Sequence, residues 1–269
     1  MGVAPPQQPS PLLTAGVSAR RSSAQDSLLE LAARAGDLLL RSGAEISRVE
    51  DTIERIGRSG GGRQVSAYAT PTGVFVSIDG ETRIVRVRQT RNDLDRVARV
   101  NSLSRRLASG QLTVAEALAE IDRLERLPDP YPRWAVQVGG GISAAGFAYL
   151  FGGRGWEWPL AGLFGYLVAY VLRFLPQVQG GLYVRSWAGG VLASLLSAGA
   201  VMVHPAWHLE PLLLGTLMVL VPGVAITNGM RDLLAGELVS GVTRVVEALM
   251  VAVAIAAGVA LVLAAGGAS

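Results

Sequence analysis

Apolar positions along this chain of 269 residues fall into two regimes. Up to about residue 127 they recur at short periods, as in a folded domain with one solvated face. Leu28, Leu31, Ala35, Leu38 and Leu39 follow helical spacing, and Ser27 with Glu30 reads as a capping box ahead of them. The pattern predicts a helix to about Arg58 that stops at Gly60-Gly61-Gly62. Gly43 lies inside it and marks close packing or a break. Val65, Ala67 and Ala69 then alternate, and Pro71-Thr72-Gly73 reads as a turn. Residues 74–78 are a β-rich run, Asp79-Gly80 is a hairpin signal, and residues 82–88 complete a three-stranded meander. Asn92 with Asp95 is expected to start another helix, and Thr113 with Glu116 to cap one that ends near Leu127. Residues 26–130 thus read as an α+β domain large enough for its own core.

Beyond residue 130 the apolar runs lengthen to roughly 18–24 residues, the span of a bilayer core. They fall near 134–151, 158–176, 182–203, 209–227 and 242–265, and predict about five transmembrane helices in a domain covering 131–269. Pro128-Asp-Pro-Tyr-Pro-Arg-Trp134 forms the boundary, with Tyr131 and Trp134 suited to the interfacial belt. Gly139, Gly140, Gly141, Ala144, Ala145 and Gly146 give the first span a small-residue face, as Gly189, Gly190 and Ala193 do for the third. Such faces let helices approach closely in lipid. The fourth span is interrupted. Pro222 and Gly223 break it, because proline lacks an N–H and clashes with the preceding turn.

Charge sharpens this division. Residues 1–133 hold 19 of the 24 basic and 16 of the 21 acidic residues. Arg133, Arg173, Arg185, Arg231 and Arg244 fall on one side of the expected spans and Arg154 alone on the other. The positive-inside rule then puts the N-terminal domain in the cytoplasm and the short C-terminal tail outside. Residues 1–25, rich in proline and glutamine, lack the apolar core of a signal peptide and read as a disordered tail. The small net charge of +3 argues against nucleic acid, and the absence of cysteine excludes thiolate metal sites and thiol catalysis.

The candidate chemistry is sparse. Histidine occurs only at His204 and His208, and Pro205 between them disrupts metal-binding geometry, so neither a metal site nor a histidine-based triad is expected. Arg83, Arg86, Arg88 and Arg91 form a basic edge, read either as a solvated strand or as a surface for anionic lipid or solute. Glu45, Glu50, Asp51 and Glu54 read as a solvated helix face. The polar insert after Pro222-Gly223 differs. Asn228 and Asp232 are one turn apart, and Glu247 lies one turn beyond Arg244 within an apolar span. No phosphate-binding loop appears, no cofactor is called for, and the chain does not read as an enzyme.

Several segments resemble the threonine/serine exporter family of bacterial inner-membrane proteins. They are Gly36-Asp-Leu-Leu-Leu-Arg-Ser-Gly43-Ala-Glu45 with Val49-Glu50, Ala69-Thr-Pro-Thr-Gly73, Arg91-Asn-Asp93, Tyr131-Pro-Arg-Trp134 and Leu220-Val-Pro-Gly223. Asn228, Asp232, Gly236, Gly241 and Arg244 complete the set. The resemblance implies a secondary transporter that moves small hydrophilic metabolites outward. Fused members carry a second multi-span unit, so a separate small membrane subunit is expected as partner, and homo-oligomers are open. It leaves threonine and serine or the dicarboxylate succinate as cargo. A membrane-tethered enzyme or sensor, with the N-terminal domain as the active part, is the alternative.

On the transport reading, substrate contacts are expected at Pro222, Gly223, Thr227, Asn228, Arg231, Asp232 and Arg244. A half-helix N-terminus near Val224 would face a carboxylate. Asp232 or Glu247 would carry a coupling proton, with Arg173 as a further anion partner.

Overall fold

The computed structural model describes residues 11–87, 91–128, 131–175 and 181–266. Contacts divide the chain into two compact units. One comprises Met1–Pro128 with Arg231–Gly241, the other Asp129–Met230 with Val242–Ser269.

The first unit opens with α1 (Pro11–Arg41) and α2 (Ile46–Ser59). Ser27 does not cap a helix start. Its hydroxyl donates to the Ser23 carbonyl one turn back, as a residue inside a helix does. Of the tail expected over 1–25, residues 1–10 lie outside the described residues and 11–25 belong to α1. The single long helix expected to Arg58 is two helices, because Gly43 takes a left-handed φ of +79°. A Cβ there would lie 2.8 Å from Asn92 Oδ1. The break is closed by the segment before α3 (Leu94–Ala108): Arg91 N donates to Arg41 O and Asp93 N to Ser42 O. Asp93 caps α3, accepting from Arg96 N at 3.0 Å, one residue later than the Asn92 start expected. Thr113 and Glu116 form the expected capping box of α4 (Val114–Arg126).

Between α2 and α3 lies an antiparallel meander of β1 (Val65–Thr70), β2 (Gly73–Ile78) and β3 (Glu81–Arg86). Asp79 and Gly80 both have positive φ, at 50° and 91°, as a tight primed hairpin turn requires. Asp79 Oδ1 also accepts from the N–H groups of Arg63 and Gln64, which pins the glycine loop after α2. The core packs Leu31, Leu39, Ile46, Ile53 and Ile56 from the first two helices against Val74, Val76 and Ile78 of β2, with Leu103 and Ile121 closing it. Gly36 lets α2 close on α1, since a Cβ there would sit 2.6 Å from Ile53 Cδ1. Arg34 on α1 forks onto Glu125 of α4 at 3.1 and 2.7 Å. Arg83 and Arg86 of the expected basic edge lie exposed on β3, whereas Arg88 falls outside the described residues.

The second unit contains α5 (Arg133–Leu150), α6 (Glu157–Leu172), α7 (Gly181–Val203), α8 (Leu209–Leu217), α9 (Gly223–Leu234, as far as Met230) and most of α10 (Leu238–Gly266). Helices α7 and α10 are long and apolar enough to cross a bilayer, and α6 is a shorter apolar helix. Small residues set the packing. A Cβ at Gly165 of α6 would lie 2.5 Å from Ala144 of α5, and one at Gly215 of α8 would lie 2.7 Å from the Ala144 carbonyl oxygen. Helix α7 crosses α10 backbone on backbone. A Cβ at Gly190 would lie 2.5 Å from the Ile255 carbonyl oxygen, and one at Gly258 would strike that of Trp187.

Gly43→Ala forces an L-residue into left-handed backbone at a cost of about 1–2 kcal/mol, and the contact with Asn92 adds to it. Thermal unfolding of the purified chain is expected to show this loss, whereas alanine at Gly61, where nothing lies within 4 Å, meets only the backbone penalty of its positive φ.

Candidate functional site

The fourth apolar segment is not one helix with a kink. Helix α8 has nine residues and α9 twelve, with residues 218–222 unwound between them. At 1.5 Å per residue these helices are about 14 and 18 Å long, each short of a hydrocarbon core of about 30 Å. Proline explains where the unwinding starts. The Pro222 ring excludes the carbonyl of the residue four earlier, Met218, and disfavours helical backbone at Val221. The Pro222 carbonyl then accepts from Ile226 N at 3.1 Å and opens α9. The first turn of α9 has N–H groups without intrahelical acceptors, and Gly223 and Val224 there are exposed. Thr227 donates its hydroxyl to Gly223 O at 2.9 Å, and Asn228 is buried. The half-helix start expected near Val224 is therefore present, one residue earlier.

Arg231 and Asp232 belong to the first unit. Asp232 is fully buried, and its Oδ1 accepts from the backbone N–H of Ile46 at 3.0 Å. Ile46 is the first residue of α2, and the Glu45 side chain at the cap position makes no capping bond of its own. A carboxylate 186 residues away in sequence therefore supplies an acceptor at the start of α2, where the helix dipole favours negative charge. Next to it Arg231 Nη1 binds Glu45 Oε1, and Glu45 Oε2 takes Arg48 at 3.4 Å. Burial pushes the Glu45 carboxyl up. The hydrogen bond from Arg231 and the charges of Arg48 and Arg231 outweigh this and hold it below its ordinary value. Gly236, with φ of +90°, ends α9, and Gly241 packs where a Cβ would lie 2.6 Å from Leu233.

Glu50 does not belong to a solvated face. Its Oε1 accepts from Ala69 N at 2.7 Å and ties α2 to β1. Burial, then the nearby charges of Glu237, Glu54 and Asp51, push its carboxyl up. Arg244 is partly buried and Glu247 exposed on α10 in the second unit. Arg173, also in that unit, lies over the Tyr170 and Phe174 rings.

Two arrangements were not legible beforehand. Glu45, read as part of a solvated helix face, is the partner of Arg231, and only its place in the family-like Gly36–Glu45 segment hinted at a role. Glu157, at the start of α6, is buried. It accepts from Arg154 N at 2.7 Å through Oε2 and from His208 N at 2.7 Å through Oε1. Its Oε1 also lies 2.8 Å from His208 Nδ1. His204 stacks on Trp207, and no cluster of metal-ligating side chains occurs among the described residues.

A family model described as "Putative threonine/serine exporter" matches residues 30–266. The chain belongs to the threonine/serine exporter family. Over 263 residues it is 28% identical to the "Probable threonine/serine exporter" of Mycobacterium tuberculosis, covering 93% of this chain and 49% of that one. It is 26% identical to the "Threonine/serine exporter" of Corynebacterium glutamicum over 96% of this chain and 54% of that one. The chain thus spans about half the length of these two relatives. It is also 24% identical to the "Probable succinate transporter subunit YjjP" of Escherichia coli K12, over 89% of this chain and 94% of that one. No solved structure matches.

Two outcomes follow from the Glu45–Asp232 geometry. Asp232→Ala removes the acceptor of a buried N–H and is expected to cost about 1–3 kcal/mol, with faster amide exchange at Ile46. Asp232→Asn keeps an oxygen and costs less. Glu45 has a depressed folded pKa, so its contribution is complete above its ordinary value of 4.5 and is lost as pH falls through the folded value. Acid titration of stability is therefore expected to flatten below that point in Glu45→Gln.

Proposed function

We propose that this chain is one half of an inner-membrane secondary exporter of small hydrophilic metabolites, with threonine or serine as cargo. The feature that carries the reading is the unwound stretch between α8 and α9. Non-helical backbone at membrane depth is tolerated only where protein or a watery cavity surrounds it, and transporters place substrate sites at such breaks. The α9 N-terminus at Gly223 would receive the substrate carboxylate, and Asn228 and Thr227 its polar groups. Arg244 would balance the anion, and Glu247 would carry a coupling proton. Arg231 and Asp232 are engaged with Glu45 and Ile46. We assign them to holding the last turn of α9 rather than to a direct substrate contact.

On this reading residues 26–130 form a cytoplasmic α+β domain. Residues 131–269 apart from 231–241, which belong with the first unit, form the membrane domain, with α5, α6, α7, the α8–α9 pair and α10 as its five passes. The relatives named as succinate transporter subunits support a second, separate subunit as partner. A second cargo has its own support. The succinate transporter subunits match over 94% of their length, so the same layout serves a chain named for a dicarboxylate. Homo-oligomers remain compatible with either. No catalytic role is proposed for the N-terminal domain.

The test is efflux of labelled threonine, serine and succinate from cells that express the chain, with and without a small multi-span partner. Partner-dependent efflux of one solute is expected, abolished by Asn228→Ala at unchanged membrane abundance. Normal efflux in that variant overturns the site, and no efflux of any solute with both chains inserted overturns the function.

A further inference from the structure

The first unit contains a second polar site, on the outward face of α2. Glu45, Arg48, Asp51, Thr52 and Arg55 line up at helical spacing and face Asn101 and Arg105 of α3 across a cleft of about 290 Å³, which Ser47 also lines. Every lining side chain is polar or charged. The floor is built. Thr52 is 1% exposed and donates to Asn101 Oδ1 at 3.0 Å, and Asn101 is 8% exposed. Arg55 is braced by Ser104, whose hydroxyl accepts at 3.1 Å and in turn donates to the Asn101 carbonyl. Against this braced wall two donors are unused. Neither the side-chain amide N–H groups of Asn101 nor the Arg105 guanidinium has an acceptor among the described residues. Both donors open onto the cleft.

We propose that this cleft binds a small α-amino acid zwitterion and acts as a solute-sensing site. Size limits the ligand, because the volume lies at the foot of the roughly 300–1,000 Å³ range of drug-sized pockets and the walls offer nothing apolar. Charge selects it. Arg55 and Arg105 present guanidinium groups to a carboxylate, Asn101 adds an amide donor, and Asp51 supplies an acceptor for an ammonium group. A dicarboxylate would set its second charge against Asp51. Glu45 gives the site an output, since the same carboxylate lines the cleft and holds Arg231. A ligand that draws Arg48 or Glu45 toward itself competes with that pair, and so alters how the last turn of α9 is held. That the ligand is also the cargo rests on the transporter reading; the site itself does not.

The chain has no cysteine, so Ser47→Cys places a single thiol in the cleft. The probe is the rate at which methyl methanethiosulfonate modifies that thiol in the full-length chain in lipid nanodiscs. Threonine or serine is expected to slow the reaction saturably, and glycerol is not. Adding Arg105→Gln is expected to raise the half-protecting concentration roughly 10- to 100-fold, the loss of a charge-assisted hydrogen bond. Protection that persists in an Asn228→Ala background, where export is lost, separates this site from the transport path. No protection by any amino acid overturns the site, and equal protection by succinate overturns the zwitterion assignment. Absence of efflux alongside intact protection counts against the transporter reading alone.

Discussion

The bond from Ile46 N–H to Asp232 is the contact on which the first unit turns. A helix start leaves N–H groups that must find acceptors. Helix α2 begins just after a left-handed glycine, at a point where its own cap residue is already turned toward Arg231 and Arg48. The acceptor therefore comes from a distant segment. Much else is then hung on α2. Gly36 admits Ile53 on one side, Glu50 grips the β1 backbone on another, and Thr52 and Arg55 reach α3 on a third. A helix that serves as a common wall for α1, the sheet and α3 has to be fixed in register, and a buried acceptor at its first N–H does so.

The family-like segments take on a physical meaning through this junction. Gly36, Gly43 and Glu45 lie around the α1–α2 break, and the Arg91–Asp93 stretch closes it through Arg41 and Ser42. Asp232, Gly236 and Gly241 shape the segment that meets it. Residues far apart along the chain are thus parts of one construction.

What was legible in the sequence was local. The Asp79-Gly80 turn and the Thr113–Glu116 cap rest on residues within four of each other and the meander on alternation along each short strand, and all formed as read. Ser27 and Asn92 had the right chemistry for caps but lost to context: α1 already runs through Ser27, and Asp93 sits one residue nearer the α3 start. The Pro222 interruption was visible. Its extent back to Met218 follows from the clash with a carbonyl four residues earlier, which a hydrophobicity window does not register. The partners of Arg231 and Asp232 were not legible. Nothing in a residue's neighbours reveals that its carboxylate will meet a backbone N–H 186 positions away. Glu157 was missed for the same reason, since it accepts from a backbone N–H 51 positions away.

The glycine crossing of α7 and α10 constrains how the second unit can move. Where Gly190 and Gly258 meet opposing carbonyls there is no side chain to slide, compress or change rotamer. Such a crossing behaves like a riveted joint, and the two longest helices of the unit swing together or stay put. Gly223 is the opposite case, with open space around its missing side chain. Helix α8 is itself held against α5 at Gly215, so the room for backbone displacement lies in the unwound stretch before Gly223, and the unit divides into a frame and a joint.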